Sequence, residues 1–360
     1  MPQPIQRTHD SLRAYMQDRI DHYPTLSFVG LERACGKTTV LKAFLETCRD
    51  RIYGVTSIGT DHLSLQIPAG DRGLVYVHKG TLIATARQAL AYCDTTKEIL
   101  LTTGIPSPLG EIILFKALSD GFVFLAGPSR ITDVLWVKKA MIDAGAGHIF
   151  IDGAVDRKSA AMPALADGVI LASKLFSADY DNPDHKIIHQ LNLLNVPGLE
   201  NQDLLALCIK FSRECETFFL VDENNQVYFP EKGASIDQLV PLIHQITANL
   251  QAIYLPGAVT NPALRKLLTG DRANRKKMSG AMLIAEDATK LFLDSQQLQK
   301  LNRLSISLRV LYSLNLLGLG VNPAESGLSA DEIQHWMQQC AAYFKFPVFD
   351  AAGGVLVEGF

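Results

Sequence analysis

One junction limits the folds open to this chain more than any other feature. The apolar run Leu26–Val29 passes through the loop GLERACG, residues 30–36, into KTTVLKAFLETC, which reads as a helix. A strand that becomes a helix through such a loop aims the unbonded N–H groups of the first helical turn, and the positive end of the helix dipole, at one point in space. An anion fits there, phosphate above all. In that setting Lys37 is placed to reach the β- and γ-phosphates of a triphosphate, and the Thr38 hydroxyl to ligand Mg²⁺. Gly30, Arg33, Ala34, Cys35, Gly36 and Thr39 complete the candidate nucleotide-binding set. The common form GxxxxGK[ST] has glycine at what is Leu31 here, and the first glycine of this loop, Gly30, comes one residue early.

Apolar runs and helical patterns then alternate. Strands are predicted at Leu26–Val29, Tyr53–Ser57, Ile99–Leu101, Gly121–Leu125, His148–Ile151 and Gly168–Ala172. A helix is predicted over the first 24 residues, with Leu12, Tyr15, Met16 and Ile20 on one stripe and Ser11 as its cap. Alternation of this kind predicts a mainly parallel sheet covered on both faces. Ligands of such sheets gather at the carboxyl ends of the strands. Asp152, in HIFIDG, therefore becomes a candidate Mg²⁺ ligand, directly or through water. Asp61, in TSIGTD, is a candidate to position water or metal, and Thr102, Thr103 and Gly104 are expected to leave the sheet at the same edge.

With 360 residues, 48% of them hydrophobic and 20% charged, the chain can fill packed cores, which excludes a disordered protein. A net charge of −3 argues against a dedicated nucleic-acid binder. The start of the chain has no apolar signal region, and LRVLYSLNLLGLGV is too short and interrupted to span a bilayer, so a cytoplasmic protein is expected. Six scattered cysteines form no CxxC and indicate neither a disulfide framework nor a zinc site. The pattern restarts after Pro197. Strands are predicted at Thr217–Val221, Ala252–Leu255, Met282–Ile284, Leu291–Leu293, Val310–Leu314 and Pro347–Phe349, with helices around Ile236–Ala248 and Ala330–Tyr343. The expected organisation is an N-terminal helix at 1–24, a nucleotide-binding α/β domain at 25–190, and a second, smaller α/β domain at 191–360 left for partner docking by exclusion.

Other residues have plainer explanations. His185 and His189 are spaced i, i+4 but lack the glutamate of HExxH, so an ordinary helix surface is expected. Cys35 is either a redox-sensitive thiol or a small residue that fits under its loop. Asp156, Arg157 and Lys158 suit a contact with phosphate or a partner, or a solvated turn; Ser173 and Lys174 suit the wall of a base pocket; and Arg272–Lys277 suits an exposed loop or helix face, or a contact with a partner protein or nucleic acid.

The ordered segments VGLERACGKTT, GVTSIGTD, KGTLIATA, TTGIPSPLGE, LAGPSR and IDGAVDRKSAAMP, and more loosely NLLGLGVNPAESG, resemble the P-loop subunit of lysine 5,6-aminomutase reactivases. That family lies within the MinD- and dethiobiotin-synthetase-like P-loop proteins. The resemblance is close over about residues 26–178. It implies a chaperone-like ATPase, using ATP and Mg²⁺, that promotes exchange of damaged cobalamin in a B12-dependent amino acid aminomutase together with a MutS-like partner subunit. It assigns Gly30, Gly36, Lys37 and Thr38 to the phosphate loop, Asp61 to the TSIGxD segment and Asp152 to the DGA segment. Two departures are Glu32, where MinD-type loops carry an activating lysine, and Thr60 and His62 around Asp61. The alternatives are a dethiobiotin-synthetase-like enzyme activating a small carboxylate with ATP, and a scaffold that senses nucleotide without hydrolysing it.

Overall fold

The computed structural model describes residues 6–7, 9–59, 73–153, 158–175, 186–214, 217–268, 272–324 and 326–359. The chain opens with β1 (Gln6–Arg7) and α1 (His9–His22). Leu12, Tyr15, Met16 and Ile20 are buried on one helical stripe, while Ser11 lies inside the first turn of α1 instead of capping it. The junction follows as β2 (Thr25–Gly30), fully buried, and α2 (Lys37–Thr47), which buries Val40, Leu41, Phe44 and Leu45. Next come β3 (Tyr53–Ile58), β4 (Leu74–Val77), β5 (Leu82–Ala86), β6 (Lys97–Thr102), β7 (Ile112–Ala117) and β8 (Gly121–Phe124). Then α3 (Ile131–Asp143) leads to β9 (His148–Gly153) and β10 (Gly168–Lys174).

The chain divides into two units, Met1–Pro183 with Asn315–Phe360, and Asp184–Leu314. The second unit holds α4 (Lys186–Leu194), α5 (Gln202–Glu214), β11 (Phe219–Asp222), β12 (Val227–Tyr228), α6 (Leu239–Gln245), β13 (Leu250–Leu255), β14 (Val259–Thr260), α7 (Asn261–Leu268), α8 (Arg272–Met278), β15 (Met282–Asp287), β16 (Leu291–Phe292), α9 (Ser295–Arg303) and β17 (Ser307–Tyr312). Its five-stranded sheet runs β12-β11-β13-β15-β17, parallel from β13 to β17 and antiparallel at β11 and β12.

The chain then returns to the first unit with β18 (Leu316–Asn322), α10 (Ala330–Phe344), β19 (Val348–Asp350) and β20 (Val355–Val357). The first sheet has the order β1-β20-β19-β18-β10-β2-β9-β3-β5-β7-β6. This corrects the expected domains: 191–360 is not one domain, because β18 pairs in parallel with β10 and completes the first sheet. Glycines make that fit possible. A Cβ at Gly318 would strike the Tyr15 hydroxyl and one at Gly320 would meet Val40 at 2.5 Å, so α1 and α2 press directly on β18. The Tyr15 hydroxyl also donates to the Leu317 carbonyl oxygen at 2.8 Å. Nor is the helix at 1–24 separate, since its buried stripe packs in the same core as Phe28, Phe44, Phe150 and Phe349. Ser329 and Glu332 form a reciprocal capping box that starts α10.

The sheet is mainly parallel, as expected, with antiparallel pairs at its two ends. From β10 to β5 its neighbours are parallel, but β7 is antiparallel to both β5 and β6. The segments joining β5, β6, β7 and β8 hold no α-helix, and parallel neighbours need a long crossover. Among the described residues no helix is long and apolar enough to cross a membrane.

Candidate functional site

The parallel register fixes which residues meet at the sheet's carboxyl edge. Asp152 of β9 lies level with Phe28 of β2 on one side and Ser57 of β3 on the other. At the end of β2, Leu31 continues the pairing: its N–H donates to the Ala172 oxygen at 2.9 Å and its side chain is buried. This explains how leucine can stand where the common loop has glycine. Glu32 turns toward β10 and accepts from the Lys174 N–H at 3.1 Å.

Arg33 and Ala34 form the exposed tip of the loop, and Ala34 takes a left-handed φ of 52°. Cys35 then folds beneath it. A Cβ on Gly30 would come within 2.8 Å of the Cys35 sulfur, so the two residues fit only as a pair. Burial pushes the Cys35 thiol pKa up, which keeps it protonated and unreactive. The structure thus favours the small, packed residue over the redox-sensitive one.

Gly36 caps α2 at φ 85° with no side chain of its own, leaving the first turn without a side-chain acceptor. A Cβ there would lie 3.0 Å from that of Asn322 at the end of β18. Lys37 reaches across to β9 and its ammonium bonds Asp152 Oδ1; the two side chains are only 11% and 18% exposed. Thr38 is half-buried beside Lys37, and Thr39 is exposed. Gly153 is also required, because a Cβ would sit 2.7 Å from the Phe28 oxygen and 2.9 Å from Ala160.

The neighbouring strand end is held as tightly. Gly59 takes a φ of 68° and donates to the Pro128 oxygen at 2.7 Å, while the Gly127 N–H donates to Ser57 Oγ at 2.8 Å. The segments TSIG and LAGP therefore lock together next to Asp152. Asp61 itself, with Thr60 and His62, lies outside the described residues, as do Asp156, Arg157 and His185.

The structure brings Gly30, Cys35, Gly36, Lys37 and Asp152 together. Thr102, Thr103 and Gly104 do not join them. Strand β6 stands five places from β2, roughly 24 Å at ~4.8 Å per strand. Thr103 and Gly104 there close a local turn onto Ile112 and Glu111. The Ser173 side chain, expected near a base pocket, is buried and donates to the Lys174 oxygen at 2.9 Å. His189 is engaged structurally, with Nε2 2.7 Å from the Leu293 oxygen and Nδ1 3.3 Å from Ser295 Oγ. The sequence reading missed Asn322 as the loop's neighbour and the bond that Glu32 makes to β10. The signal for Asn322 was an apolar strand ending in Asn-Pro, the same form as a strand-end site.

Among the described residues no three His, Cys, Asp or Glu side chains cluster as a metal cage. A Mg²⁺ ion that keeps its waters and takes phosphate oxygens needs only one or two protein ligands, and Thr38 and Asp152 have the hard oxygens for that role. The uncapped helix start, the lysine ammonium and this carboxylate together fit a magnesium-bound polyphosphate in chemistry. No family model matches the chain, and neither a curated protein nor a solved structure is detectably similar to it.

Proposed function

We propose that this chain binds ATP with Mg²⁺ at the GKTT loop and hydrolyses it to drive a change in a partner protein. The observation that carries the reading is the Lys37–Asp152 pair, which joins the loop's lysine to the carboxylate of the neighbouring parallel strand. Before nucleotide enters, each charge neutralises the other. With nucleotide bound, Lys37 turns to the phosphates, and the N–H groups of residues 36–39 hold the same oxygens. Asp152 is then free to hold a metal-bound water, alongside the Thr38 hydroxyl. Mg²⁺ supplies neutralisation of the charge that develops on the phosphates. A carboxylate such as Asp61 orders the attacking water.

The partner assignment rests on the sequence resemblance: an adenosylcobalamin-dependent aminomutase, served together with a MutS-like subunit, from which damaged cobalamin is exchanged. The test is a reactivation assay on an inactivated, cobalamin-loaded aminomutase given Mg-ATP, fresh adenosylcobalamin, the MutS-like protein and either this chain or its Lys37→Ala variant. Recovery with the native chain alone, and only with hydrolysable ATP, supports the proposal. ATP binding without recovery or phosphate release leaves a sensing scaffold. Phosphate release that needs a small carboxylate points to a synthetase. Absence of ATP binding by the folded chain refutes the whole reading.

A further inference from the structure

The second unit has a cavity of about 480 Å³ whose charged lining is entirely basic: Arg272, Arg275 and Lys276 from α8 and Arg303 from the end of α9. Ser279 and Ser305 add hydroxyls, and Leu304 adds an apolar wall. The spacing of 272, 275 and 276 puts three cations on one helical face. The floor is made by two chain reversals tied together: the Gly280 N–H donates to the Ser305 oxygen at 3.1 Å, and the Ser307 N–H to the Ala281 oxygen at 3.0 Å. Ser305 adopts a left-handed φ of 55° to allow this.

Two ordinary uses of these cations fall short. Among the described residues no carboxylate pairs with Arg272, Lys276 or Arg303, so surface ion pairs do not consume them. Both helices end at the cavity, and a helix carboxyl end offers only about half a negative charge. Two such ends balance roughly one of these three cations. The next residue of the run, Lys277, shows what structural use looks like: its ammonium caps the Ile243 and His244 oxygens at 3.1 and 3.2 Å. Arg272, Lys276 and Arg303 line the cavity instead.

We propose that this cavity binds a small organic ligand through two or more phosphate groups, at a site separate from the GKTT loop. Three of the four cations are arginines, whose planar fork suits phosphate oxygens. The volume falls in the range of small-molecule sites, and Leu304 offers a surface to the organic part.

The experiment is calorimetric titration of the full chain carrying Lys37→Ala, with inorganic tripolyphosphate and, separately, ATP in the absence of Mg²⁺. Each probe is expected to bind one site that weakens as salt rises. Equal affinities assign recognition to the phosphates alone; tighter ATP assigns a share to the organic part. Adding Lys276→Glu and Arg303→Glu should weaken binding about thirtyfold or more. Arg265→Glu with Lys300→Glu, exposed positions outside the cavity, should leave it unchanged. Circular dichroism establishes that each variant is folded. The proposal is overturned if neither probe binds the Lys37→Ala chain, if reversal inside the cavity has no larger effect than reversal outside it, or if duplex DNA binds tenfold tighter than tripolyphosphate. Because Lys37 is absent throughout, failure of the loop reading cannot produce or hide these results.

Discussion

Replacing Lys37 by methionine and Asp152 by asparagine, singly and together, measures how far the loop depends on their pairing before any nucleotide arrives. At contact distance and an effective dielectric near 20, two unit charges attract by about 5 kcal/mol. Desolvation cancels more than half of this for side chains that are only 11% and 18% exposed. A net coupling of about 2 kcal/mol remains. Each single substitution leaves one charge with its partner gone and should cost about 2 kcal/mol, whereas the double substitution should cost about 2 kcal/mol in all and not 4. Both tryptophans, Trp136 and Trp336, belong to the first unit, so their fluorescence during urea unfolding reports on the right half of the molecule. The single variants should unfold at about 1 M less urea than the native chain. Strictly additive costs, or a Lys37→Met chain as stable as the native one, would refute the reasoning and leave the two residues as independent surface charges.

Two further outcomes are expected. Gly127→Ala drives a methyl into the backbone oxygen of Ser57, which has no room to move, and should lower stability by about 3 kcal/mol in the same urea experiment; a loss under 0.5 kcal/mol contradicts the packing. His148 is held below its ordinary value of 6.5 by burial and then by Arg51, whose guanidinium lies 3.3 Å away, with Asp21 opposing. The native state therefore favours neutral imidazole, and its contribution to stability is complete above about pH 6.5 and lost as pH falls through the lowered folded value. His148→Gln should flatten the stability profile between pH 7.5 and 5; an unchanged profile counts against it.

The β2–α2 junction was legible because composition changes abruptly there, from the mostly apolar LSFV to a loop and then to GKTT. Strand β9 was legible for a similar reason, as an apolar run closed by Asp152-Gly153. What local sequence could not disclose is who pairs with whom. Strand β18 joins β10 across the whole second unit, and nothing within LLGLGVN names that partner. The glycines were the clue, since alternate glycines in an apolar strand mark close approach by neighbours, here Tyr15 and Val40. Ile99–Leu101 was read correctly as strand but as a covered one. It is the sheet's outer edge, with Ile99 51% exposed, and an apolar run alone does not distinguish the two. Leu74–Val77, Leu82–Ala86 and Ile112–Ala117 were not predicted as strands, although the turn-rich breaks PAGDRG, HKGT and GIPSPLGE set them off. At the site, Lys37 and Asp152 followed from their chemistry, while the bond from Glu32 to β10 and the approach of Asn322 depend on the pairing order.

The return of β18 to the first sheet also sets a schedule for synthesis. When β10 has left the ribosome, its free edge still lacks the strand that will cover it, and the whole of Asp184–Leu314 must be made first. At ~5–20 residues per second that interval is roughly 7–26 seconds. Throughout it, the strand that carries Ala172 and Lys174 presents an unpaired, apolar edge beside the nascent loop. The inserted unit can fold during this wait, while the loop gains Asn322 as its neighbour only near the end of translation.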